Sequence, residues 1–132
     1  MKKVFLGGTC ADSKWRDELI AKLTNVNYFN PIVDDWNEGA QQRERFEREN
    51  DDYVLYVITP KMEGVYSIAE VVDDSNKRPE KTLFCVLYED GNSTFNENQK
   101  KSLEQVKTMV ERNGGKTFNS LIEIACYLNT DN

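Results

Sequence analysis

Short, continuous apolar runs alternate along the chain with stretches whose apolar residues recur every three or four positions. Val4 to Leu6 is the first such run and ends in Gly7 and Gly8, the pattern of a buried strand entering a tight loop. In residues 12–25, Trp15, Leu19, Ile20 and Leu23 fall at helical spacing, with Asp12 or Ser13 placed to cap the start. A second short strand lies in "NYFNPIV" and ends at Asn30–Pro31. "AQQRERFERENDD" is polar almost throughout, with Phe46 its main apolar residue, and reads as a mostly solvated helix or a partial lid. "YVLYVITP", residues 53–60, is β-branched and aromatic without a break, the mark of a strand buried on both faces. A helix over 67–78, a two-sided strand over 81–89, an amphipathic helix over 97–115, a short strand at 116–118 and a final helix over 119–129 complete the chain.

This alternation predicts a single α/β domain over 1–132: a parallel five-stranded sheet with helices on both faces, of the flavodoxin-like or Rossmann-like kind, with strand order 2-1-3-4-5. In such sheets ligands bind outside the carboxyl ends of the strands, at the switch point. The rule selects three loops, residues 7–13, 30–39 and 60–70.

Composition narrows the chemistry. The net charge is −6, from 17 basic and 23 acidic residues, so an acidic surface argues against a nucleic-acid polymer as partner but not against a small nucleotide. There is no histidine, which removes the commonest acid/base group and metal ligand. No metal or cofactor is expected. Cys10, Cys85 and Cys126 have neither zinc-ligand nor CxxC spacing. Cys85 and Cys126, in apolar runs, are expected in the core, and Cys10 in an exposed loop. A reducing, cytoplasmic setting is expected, and the short apolar start of the chain predicts neither a membrane span nor a signal peptide.

Each candidate loop has an ordinary reading and a chemical one. Gly7-Gly8-Thr9 is either a tight strand-to-helix turn or a backbone cradle for a ligand. Asn30, Asp34, Asp35 and Trp36 are either a solvated turn or a carboxylate–indole pair suited to a sugar or a base. Asp51 and Asp52 precede the strongest strand, and the pattern leaves open which edge of the sheet they occupy. Gly64 opens the segment before the third helix. Ser67 and Glu70 have the spacing of a capping box, the routine reading. The alternative is that Glu70 is an attacking carboxylate, its ionised form favoured by the helix dipole.

The ordered succession "KVFLGGT", Trp15 with its helix, "NPIVDDW", a polar helix leading to an acid and "YVLYVITP", then "SIAEV", resembles the nucleoside 2-deoxyribosyltransferase-like family over roughly residues 3 to 88. The resemblance implies cleavage or transfer at the N-glycosidic bond of a small-molecule nucleoside or nucleotide, through a covalent sugar ester. It implies that Glu70 is the nucleophile and Asp52 the acid that handles the base. Gly7, Gly8 and Thr9 would then lie near sugar or base, and Asn30, Asp34, Asp35, Trp36, Gly64 and Ser67 would complete the pocket. It also makes a homo-oligomer plausible. The Glu-Leu-Gly of the transferases is Glu70-Val71-Val72 here. A nucleoside hydrolase and a non-catalytic nucleotide-binding module are the alternatives on the same fold. For a monophosphate, Arg16, Arg43 and Arg45 are the candidate cations.

Overall fold

A computed structural model describes residues 1–10, 12–33 and 36–130. Among the described residues, seven strands and five α-helices follow in the order β1 (Lys3–Gly8), α1 (Trp15–Ile20), β2 (Asn27–Phe29), α2 (Glu38–Asn50), β3 (Tyr53–Ile58), α3 (Tyr66–Lys77), β4 (Thr82–Val86), β5 (Glu89–Asp90), β6 (Ser93–Thr94), α4 (Glu97–Arg112), β7 (Lys116–Phe118) and α5 (Leu121–Thr130). The main sheet has the order β2-β1-β3-β4-β7 and every pairing in it is parallel. This is the expected 2-1-3-4-5 arrangement, with β7 as the fifth strand of the sheet. The two-stranded antiparallel hairpin β5–β6 was not anticipated, and it turns at Gly91 with φ +62°.

Helices cover both faces because the central strands are apolar on both. On one side Val4, Leu6, Leu55, Val57, Leu83 and Cys85 pack with Trp15 and Leu19 of α1 and Ile124 and Leu128 of α5. On the other Phe5, Val54, Tyr56, Ile58 and Phe84 pack with Val71 of α3 and Leu103 and Val110 of α4. Burial of these side chains is the main favourable term for the fold. Cys85 is buried and its thiol is pushed up to about 12 by burial, whereas Cys126 lies exposed, contrary to expectation. The helical period explains this: Ile124, Ala125 and Leu128 take the inward face of α5 and turn position 126 outward.

Two helices differ from the pattern, α1 at its end and α3 at its start. The first helix is only six residues long. Lys22 N–H and Leu23 N–H reach back three residues, to the carbonyls of Leu19 and Ile20, and Asn129 of α5 accepts from Thr24 N at 2.8 Å and donates to Lys22 O at 2.9 Å. The true capping box lies at α4, where Asn96 Oδ1 accepts from Gln99 N and Gln99 Oε1 accepts from Asn96 N. At α3 the residue before the helix is Val65, and no side chain caps it.

Candidate functional site

The carboxyl ends of β1 and β3 open onto a cavity of about 640 Å³, walled by the loop after β1, by Pro31 to Trp36 among the described residues, by α2 and by the start of α3. Gly8 makes the first wall possible. Its φ is +121°, and a Cβ there would stand 2.1 Å from the Val57 carbonyl oxygen of the adjacent strand. Gly7 lies against the Tyr56 ring, which a Cβ would meet at 2.7 Å. Both glycines line the cavity as well, so the tight-turn reading and the pocket reading hold together. Thr9 is pinned there by its N–H to Val57 O and by its Oγ1, which accepts from Thr59 N at 2.9 Å.

Glu70 sits in α3 at 7% exposure and is one of the residues that line the cavity. It caps nothing: the helix begins at Tyr66 without a side-chain cap, and Glu70 Oε2 accepts no hydrogen bond. Arg48 Nη1 of α2 stands 3.3 Å from that oxygen, close enough for charge but outside hydrogen-bond alignment. Burial first, and then the neighbouring Glu44 carboxyl, push Glu70 up to about 8, against the pull of Arg48. Burial thus favours the protonated acid, where the helix dipole alone predicts an ionised one.

Asp52 is not part of this cavity. It lies exposed before the amino end of β3, where its Oδ2 accepts from Lys3 N at 2.8 Å. Six residues of β3 separate it from the ligand edge, roughly 20 Å of extended chain. Glu70 and Asp52 therefore do not share a pocket: the other acids that line the cavity are Glu44, on α2, and Glu63. Trp36, Gly64 and Ser67 line the cavity as expected, Trp36 as a half-exposed rim. Asn30 does not line it, since its Oδ1 accepts from Ile32 N at 3.1 Å and shapes the turn. Asp34 and Asp35 lie outside the described residues.

The structure also assigns the arginines. Arg16 is buried in the cavity wall, but its guanidinium donates to the carbonyl oxygens of Leu6, Thr9 and Gly8 at 3.0, 2.6 and 3.2 Å, so it holds the loop. Arg43 pairs with Glu47, and neither Arg43 nor Arg45 lines the cavity. Among the described residues, no group of three or more Cys, Asp or Glu side chains is arranged to hold a metal ion, and no helix is long and apolar enough to cross a membrane.

Sequence reasoning missed Glu44 and Arg48 because α2 packs through charge. Glu44, Glu47, Arg48 and Asp51 recur at helical spacing on one side, while the apolar Phe46 faces water at 59% exposure. The signal that could have found them is this charged periodicity, four residues apart from Glu44 to Arg48. Comparison with curated proteins and with solved structures returns no match. A family model described as nucleoside 2-deoxyribosyltransferase like matches residues 1–89, which contain the β1 loop, α2 and Glu70. The chain belongs to the nucleoside 2-deoxyribosyltransferase-like family.

Proposed function

We propose that the protein cleaves the N-glycosidic bond of a nucleoside or nucleotide, with Glu70 as nucleophile and Glu44 as the partner acid. The observation that carries this reading is the buried Glu70 carboxyl, which lines a cavity, caps no helix and keeps one oxygen free of hydrogen bonds. Glycosidic cleavage develops positive charge on the sugar, and carboxylates stabilise it. Glu70, raised to about 8, must first lose its proton. On this reading Glu44 takes that proton and gives it to the departing base. The C1′–N bond breaks as Glu70 bonds to C1′. Water, or an acceptor base, then attacks C1′, the ester bond breaks, and Glu44 recovers the proton from the attacking group. The ligand is a small molecule rather than a nucleic-acid polymer, the setting cytoplasmic, and the exposed apolar rim of Ile32, Val33, Trp36, Val65 and Tyr66 is suited to cover a base or to meet a second copy of the chain.

The test is base release from a panel of deoxyribo- and ribonucleosides and their monophosphates, with and without an acceptor base. Wild type is expected to release base, and Glu70→Ala to fall below about a thousandth of that rate. Equal release by both proteins overturns the assignment. The protonated state of Glu70 favours a second reading, a neutral hydrogen-bonding site that holds a nucleotide without reacting. A nucleotide that raises the melting temperature and emerges chemically unchanged would support it.

A further inference from the structure

We infer that Arg48, clamped between α2 and α3, is the fixed counter-ion that keeps the Glu70 carboxylate available for attack. The inference rests on the reading of Glu70 as the reacting group and gives a task to a residue outside the cavity lining.

The position of Arg48 is set by partners other than Glu70. Its Nη2 lies 2.9 Å from Asp74 Oδ1 and 3.5 Å from Asp73 Oδ2, and its Nε donates to Asp74 Oδ2 at 3.3 Å. Asp74 is fully buried and is itself held by the Tyr56 hydroxyl at 2.5 Å and by Arg78. Tyr56 belongs to the central strand and packs on Gly7, so the clamp is anchored in the sheet. Lys77 balances the outer acid, Asp73, at 3.1 Å. The guanidinium is thus delivered to Glu70 by a scaffold that is complete without Glu70.

The contact it makes is unusual in a useful way. At 3.3 Å, in a site only 8% exposed on the Glu70 side chain, the cation favours the ionised acid by charge. Oε2, the oxygen that faces Arg48, is buried and accepts no hydrogen bond, so the contact acts through charge alone. The groups facing Glu70 divide by sign: Glu44 from α2, Asp74 from α3 and the Tyr56 hydroxyl from β3 favour the neutral acid or stay neutral, and Arg48 opposes them. Arg48 itself stays charged: burial works against the cation, but Asp74 and Glu70 raise its affinity for the proton above the ordinary value. Arginine suits the position because its fork reaches two carboxylates at once, which a lysine ammonium does not.

The test needs no substrate. Glutamate labelled with ¹³C at the side-chain carboxyl, with the Glu70 signal assigned by Glu70→Gln, gives the Glu70 titration midpoint in wild type, Arg48→Lys and Arg48→Met. Arg48→Lys keeps a cation for buried Asp74 and is expected to fold. Both variants should raise the midpoint by about one unit or more. Because the proposed reaction keeps one proton between Glu70 and Glu44, kcat/KM should fall about tenfold at pH 6, and its alkaline limb should move up by the same amount as the midpoint. An unmoved midpoint in folded Arg48→Lys, with only a lowered melting temperature, overturns the inference and leaves Arg48 a structural residue; should Arg48→Met not fold, Arg48→Lys decides alone. The two readings fail separately. A moved midpoint in a protein that releases no base sinks the proposed reaction and spares Arg48. Glu70-dependent release with an unmoved midpoint does the reverse.

Discussion

Glu44 and Asp52 are both acids of the segment before β3, and only geometry separates them. Glu44 lines the cavity beside Glu70, while Asp52 accepts a backbone hydrogen bond from Lys3 at the opposite edge of the sheet. Glu44→Gln is therefore expected to slow base release by roughly a hundredfold. Asp52→Asn, which retains an acceptor for Lys3 N–H, should leave the rate within about twofold, because an exposed group remote from the cavity has little to lose. Steady-state assays on the two variants check this, and a large loss in Asp52→Asn would return that residue to the mechanism. Glu70 was legible in the sequence because it follows a two-sided strand at a helix start, where the sheet rule points. The place of Glu44 beside it was not, because a charged helix face carries no apolar period to read.

At the scale of elements, the β1 loop shows how the backbone builds the cavity. Gly8 has a left-handed φ and almost no space beside it. Gly8→Ala is expected to cost roughly 2–4 kcal/mol of stability through strain and overlap with β3, read as a lowered denaturant midpoint, whereas Gly64→Ala, with open space around its Cα, should cost little. The strands were legible in position, since burial on both faces leaves few polar positions in β3 and β4, but the reading ran past their ends, to 60 against Ile58 and to 89 against Val86. The α1 boundary and the β5–β6 hairpin were not. The first is ended by Asn129, distant in sequence, and the second is a pair of two-residue strands with no periodicity to detect.

For the whole molecule, buried acids set the response to pH. Glu70 is raised to about 8, chiefly by burial, and Asp51 to about 7, by burial and by Glu47. Both hold their protons more tightly folded than unfolded, so their contribution is complete below the ordinary carboxylate range and declines as pH rises towards 8. Glu47 is the opposite case: despite burial, Asp51, Lys3 and Arg43 hold it down to about 2, and its contribution is lost as pH falls from about 4.5. The melting temperature is expected to be highest near pH 5 and to fall towards pH 8.5, with the Glu70→Gln/Asp51→Asn double variant showing a flatter alkaline side. Thermal melts across that range check it; an equally steep fall in the double variant would place the titrating groups elsewhere.

The charged side of α2 carries this further. Lys3 to Glu47 at 2.8 Å, Lys81 to the Asp51 carbonyl at 2.7 Å and Arg48 to Asp74 at 2.9 Å fasten that helix where most helices are seated by oil. Lifting it would wet ions rather than grease, so the wall bearing Glu44 is attached by bonds that water can replace. Protons taken up by those carboxylates would release the wall bearing Glu44 while the apolar core stays shut.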